Sequence, residues 1–113
     1  MSSFSVIIPA LNSALSIESA INSCLNQSLK PYEIIVIDDC STDNTVNVVR
    51  DIQSRLKCET LVRLLSTNIN SGAATARNIG WNISVGDYVA FLDSDDQWHP
   101  LKLERIHAVL HKN

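Results

Sequence analysis

A chain of 113 residues has room for one compact domain with one core. With 45% apolar and 19% charged residues it has the balance of a folded soluble domain, which excludes a disordered chain of low hydrophobicity and high net charge. A formal charge of −3 and no clustered basic stretch exclude binding to nucleic acid through its phosphates.

The first predicted strand is "FSVIIP", rich in branched residues and stopped by Pro9; Ile17, Ala20, Ile21, Cys24 and Leu25 then recur at helical spacing. The second strand, "EIIVID", ends in Asp38 and Asp39, and Ser41 or Thr42 is placed to cap a helix with Val46, Val49, Ile52 and Leu56 on its apolar face. The third, "TLVRLL", carries Arg63 in its middle, as an edge or half-exposed strand does, and "NINSG" leads into a helix over Ala73, Ala76, Gly80 and Ile83 whose glycine allows close packing. The fourth, "YVAFL", runs into "DSDD"; Pro100 then suits a helix start, with Leu103, Ile106 and Leu110 along one face.

Strands that are apolar on both faces and alternate with helices imply an α/β domain: a parallel sheet of about four strands, covered on both sides and joined by right-handed crossovers. Ligands of such sheets lie beyond the carboxyl ends of the strands, where strand order reverses. No apolar run approaches the roughly 20 residues that span a bilayer, and "MSSFS" lacks a basic segment ahead of an apolar one, so the chain reads as cytosolic. Cys24, Cys40 and Cys58 are odd in number and form no C-x-x-C pair, which favours reduced thiols over a disulfide framework or a zinc site.

The unusual polar residues cluster at the predicted strand ends. Asp93, Ser94, Asp95 and Asp96 place three carboxylates on a short turn; a helix cap needs only one, and their repulsion is relieved by a hard cation. Magnesium or manganese suits such a turn, because either takes one or two carboxylates and completes its shell with phosphate oxygens and water. Asp38 and Asp39 can accept hydrogen bonds from a nucleobase or ribose, or from nearby backbone in an Asx-turn. Pro9, Ala10, Leu11 and Asn12 should line the same crevice, although a turn with an Asn12 or Ser13 cap accounts equally well for their types. Arg77 can clamp a diphosphate or make a surface ion pair. His107 and His111 stand four apart but lack the H-E-x-x-H pattern, and read as a solvated helix end. The tripeptides starting at Asn26 and Asn82 match the glycosylation acceptor but fall on predicted helices of a chain read as cytosolic.

Taken together, "FSVIIPALN", "EIIVIDDCSTDNT", "NINSGAATARNIG" and "GDYVAFLDSDD" resemble, in order and spacing, the nucleotide-sugar-binding half of the family 2 glycosyltransferases, over nearly the whole chain. The resemblance implies a Rossmann-like GT-A fold in which Asp93 and Asp95 form the D-x-D pair, with Asp96 beside them, holding Mg2+ or Mn2+ against the donor diphosphate. It implies that Pro9, Ala10, Leu11 and Asn12 border the nucleotide, with Asp38, Ser94 and Glu18 also near it, that Asp39 contacts the base, and that Arg77 lies by the ribose or phosphates. The family usually has an aromatic residue where Leu11 stands and glycine where Cys40 stands, and a Cβ disfavours positive φ.

Members of this family invert the anomeric carbon using a carboxylate base from a later, acceptor-binding half. Nothing after Asp96 matches that half, so residues 1–113 are expected to be the donor part of a larger enzyme, its general base lying beyond Asn113. The expected donor is a UDP-linked sugar and the acceptor a glycan or lipid-linked hydroxyl in polysaccharide or cell-surface glycan synthesis, with the whole enzyme at the inner face of the membrane. A sheet lacking its later strands is expected to self-associate. The alternatives are a two-component receiver domain, whose acidic pair would follow the first strand, a sugar-nucleotidyltransferase, whose Gly-rich, Arg-containing loop is missing from "PALNSALS", and a non-catalytic nucleotide-binding module.

Overall fold

The structure is a computed structural model that describes residues 3–111. Strands and helices alternate through β1 (Phe4–Ala10), α1 (Ile17–Leu25), β2 (Glu33–Asp38), α2 (Thr45–Arg55), β3 (Leu61–Ser66), α3 (Ala73–Ile83), β4 (Tyr88–Phe91) and α4 (Lys102–Leu110). The four strands form one parallel sheet in the order β3-β2-β1-β4, so the chain steps outward from β1 to β3 and then returns to the other side of β1.

Every residue of β1 and β2 is buried, as expected of central strands sandwiched between layers, whereas β3 and β4 are edges with intermediate exposure. Arg63 is tolerated in β3 for that reason. Alternation sends Val6, Ile8, Ala10, Ile34 and Val36 to the face packed by α1, α2 and Leu103 of α4, while Ile7, Ile35 and Ile37 meet Ala76 of α3. Helix α3 sits close to the sheet because Gly80 lies over Ile7: a Cβ there would come within 2.6 Å of Ile7 Cγ2.

The amino-terminal rim is held by a buried carboxylate. Glu33 accepts hydrogen bonds from the Ser5 hydroxyl at 2.6 Å, the Val85 amide at 2.7 Å and Arg63 Nη1 at 2.9 Å. Burial raises the pKa of Glu33, but these donors together outweigh it and leave the group below its ordinary value. This network is at the opposite end of the sheet from the polar loops.

Three local expectations are corrected. The fourth strand ends at Phe91, and Leu92 is buried beyond it with its amide on the Ile7 carbonyl at 3.0 Å. Helix α2 starts at Thr45, and neither Ser41 nor Thr42 caps it; the Asp43 carboxylate accepts the Thr45 amide and hydroxyl instead. Pro100 precedes α4 rather than opening it, in a turn closed by the Lys102 amide on the His99 carbonyl at 3.0 Å.

Candidate functional site

The parallel register sets the carboxyl ends of β1, β2 and β3 level, pairing Ala10 with Asp38 and Asp38 with Ser66. β4 stops where it pairs with Ile7, three residues short of the end of β1, so the chain after Leu92 turns off below that rim. A cavity of about 390 Å³ opens there beside β1, the strand at which the order reverses. It is lined by Pro9, Ala10, Leu11, Asn12, Ser13, Ser16, Asp39, Asn70, Gly72, Ala73, Asp93, Ser94 and Asp95.

Asn12 adopts φ 49°, a left-handed conformation that asparagine tolerates. Its amide oxygen accepts the Thr42 and Asp43 N–H groups at 2.8 and 3.3 Å, and its own N–H donates to Ser41 Oγ at 2.9 Å. The loop after β1 is thereby tied to the loop before α2. Leu11 is half-exposed on the cavity wall and offers an aliphatic flank where an aromatic plane is usual in the family it resembles.

Asp39 is 3% exposed and is the most heavily bonded acid of the site. Its Oδ1 accepts the Ser71 amide and hydroxyl at 2.9 Å and Oδ2 accepts the Gly72 amide at 2.8 Å, while the Thr67 hydroxyl lies between Oδ1, at 2.9 Å, and the Ile69 carbonyl, at 2.8 Å. The Ser71 amide leads the donors that hold this carboxyl below the usual range against the opposing effect of burial, so it is an ionised acceptor at neutral pH. Oδ2, with one hydrogen bond, keeps acceptor capacity. The same bonds fix Gly72, at φ 92°, as the residue preceding α3.

Asp38 lies inward of the cavity wall. It is buried, its Oδ2 accepts the Ser41 amide at 3.3 Å, and its Oδ1 has no hydrogen-bond partner. Cys40, next along, has φ 68°, so the chain does adopt here the conformation that glycine normally supplies.

The acidic loop is a turn closed by the Asp96 amide on the Asp93 carbonyl at 3.0 Å. Asp93 and Asp95 line the cavity, whereas Asp96 lies outside it with its carboxylate on the Gln97 amide at 2.9 Å. Among the described residues no three His, Cys, Asp or Glu side chains converge as a metal-binding cluster, so the expected third acid ligand is not brought in. Two carboxylates on one wall still fit magnesium or manganese, which leave most positions to phosphate and water. Arg77 is outside the lining, but its Nη2 stands 4.0 Å from Asp93 Oδ1 at the rim.

Glu18 is not brought to the cavity. It faces α2 and pairs with Arg55 at 2.9 Å, in an exposed ion pair. The sequence reading also left Ser13, Ser16, Asn70, Gly72 and Ala73 unassigned. The rule that placed Pro9–Asn12 at a strand end applies equally to "NSGA" after the third strand, and would have found Gly72 and Ala73.

The description "Glycosyl transferase family 2" belongs to the family model that matches residues 5–113. The chain belongs to this family. It is 42% identical over 100 residues to the UDP-Glc:alpha-D-GlcNAc-diphosphoundecaprenol beta-1,3-glucosyltransferase WfaP of Escherichia coli, covering 88% of this chain and 38% of that protein. Among solved structures, Staphylococcus aureus TarS 1-349 in complex with UDP-GlcNAc matches with a TM-score of 0.83 at 33% identity, over 96% of this chain and 31% of that one. The mannosyltransferase PcManGT of Pyrobaculum calidifontis, in complex with GDP-Man and Mn2+, matches with a TM-score of 0.89 at 27% identity, over 98% of this chain and 33% of that one. The fold of this family 2 chain is therefore a GT-A glycosyltransferase fold, and the chain spans less than half the length of these relatives. No helix among the described residues is long and apolar enough to cross a membrane.

Proposed function

We propose that this chain binds the nucleotide-sugar donor of an inverting glycosyltransferase of polysaccharide or cell-surface glycan synthesis. The observation that carries the reading is the single cavity to which all four strand-end segments contribute: Pro9–Asn12, Asp39, Gly72–Ala73 and Asp93–Asp95. Ionised Asp39, through Oδ2, receives a base N–H, and uracil, with its one N3 proton, suits that lone acceptor. TarS has been solved with UDP as well as with UDP-GlcNAc, which supports a UDP-linked donor here.

Asp93 and Asp95 would hold a divalent cation, with Arg77 at the rim adding positive charge near the phosphates. A cation held by these two carboxylates would supply positive charge beside the donor diphosphate. Leu11 and the β1 carboxyl end flank the nucleotide, and the fixed Gly72 loop closes the opposite wall. Donor binding and leaving-group stabilisation are the work of this chain; a general base acting on a glycan or lipid-linked acceptor hydroxyl comes from elsewhere in the enzyme.

Calorimetric titration with UDP, GDP and dTDP, with and without manganese, tests this on the native chain and on the Asp93→Ala, Asp95→Ala double variant. Manganese-dependent UDP binding that is lost in the variant is expected. Binding that ignores the metal, or survives in the variant, would remove the proposed cation site.

A further inference from the structure

Ser13 is buried between three parts of the chain, and every polar group it has is committed. Its amide donates to Thr45 Oγ1 at 2.8 Å, at the start of α2. Its carbonyl accepts the Ser16 and Ile17 amides at 3.0 and 2.8 Å, which opens α1. Its hydroxyl lies 3.2 Å from the Leu11 carbonyl and 2.6 Å from the hydroxyl of Ser94, the residue between Asp93 and Asp95.

A serine hydroxyl has one hydrogen and two lone pairs. The Ser13–Ser94 bond therefore forms with either hydroxyl as the donor, and in both cases it joins the acidic loop to Ser13. Ser13 is in turn bonded to the starts of two helices, so the contact ties the midpoint of the acidic loop to both of them.

We infer that Ser13 is a positioning residue for the acidic loop: through Ser94 it holds Asp93 and Asp95 in the orientation that receives a cation and a diphosphate. The inference rests on the donor-site reading above and deepens it. It gives Ser94 a part in a tether that spans 81 positions of sequence.

The test is a double-mutant cycle with Ser13→Ala, Ser94→Ala and their combination, read by calorimetry with UDP in the presence and absence of manganese. Each single variant should weaken manganese-dependent UDP binding about 3- to 10-fold, the range expected for one neutral hydrogen bond. The double variant should be no weaker than the weaker single one. Additive losses would overturn the tether. Hydrogen exchange of residues 93–96 supplies an independent readout: Ser13→Ala should raise exchange there while β1 and β2 stay protected, and an unchanged rate would overturn the inference even if the wild type bound no UDP. Failure of the wild type to bind UDP with manganese counts against the donor-site reading alone.

Discussion

Two neighbouring residues at the end of β2 show how differently side chains disclose their roles. Cys40 departs from the usual glycine, and its φ of 68° shows that the backbone need persists although the residue has changed. A Cβ in this region costs about 1–2 kcal/mol, and glycine loses roughly 0.5–1 kcal/mol through its larger unfolded-state entropy. Cys40→Gly should therefore stabilise the chain by about 0.5–1 kcal/mol, seen as a higher urea midpoint at constant slope; a lower midpoint would mean that the thiol makes a compensating contact. Asp39 was legible as an acid of the strand-end crevice, which it lines, but its bonds to Ser71 and Gly72 were not, because they join loops 32 to 33 positions apart. Ser13 was hidden for the same reason, its type and position fitting an ordinary turn. Glu18, by contrast, followed the family resemblance, whereas its surroundings on α1 supply Arg55 as a partner.

Elements were more readable than residues, since hydrophobic periodicity reports burial directly. All eight elements are where the alternation of patterns places them, and even the exposed character of β3 followed from Arg63. What periodicity could not supply is the strand order, or the pairing that makes Arg63 useful: it reaches across to Glu33 on the neighbouring strand. That rim gives a pH prediction. Glu33 has its folded pKa depressed, so its contribution to stability is present above the unfolded value of about 4.3 and is lost as pH falls through the folded value. Glu33→Gln should cost about 2–3 kcal/mol at neutral pH, because a neutral amide leaves Arg63 and the Val85 amide imperfectly paired. Thermal melts below pH 5 should then fall less steeply than in the native chain. The profile should flatten without vanishing, since Asp39 and Asp43 carry shifts of the same sign. Parallel acid profiles for the two proteins would show that Glu33 does not titrate as argued.

At the scale of the whole molecule, the sheet has two edges among the described residues, β3 and β4. β3 packs with α2, while β4 is only four residues long and is exposed enough to leave Phe91 at 39%. Trp81 on α3, itself 58% exposed, lies with its ring 6.1 Å from that of Phe91. An open strand edge flanked by apolar side chains is a template for pairing with another strand, because unpaired N–H and C=O groups and unburied rings are satisfied together. The chain alone should therefore self-associate through β4, giving sedimentation coefficients that rise with concentration. Phe91→Lys adds the charge that blunts natural sheet edges and should return the chain to a monomer, while substitution of Leu15, exposed in the loop after β1, should not. Concentration-independent sedimentation of the native chain, or association untouched by Phe91→Lys, would show that the β4 edge is not the contact. A monomeric variant that still binds UDP with manganese would separate nucleotide binding from the contact at that edge.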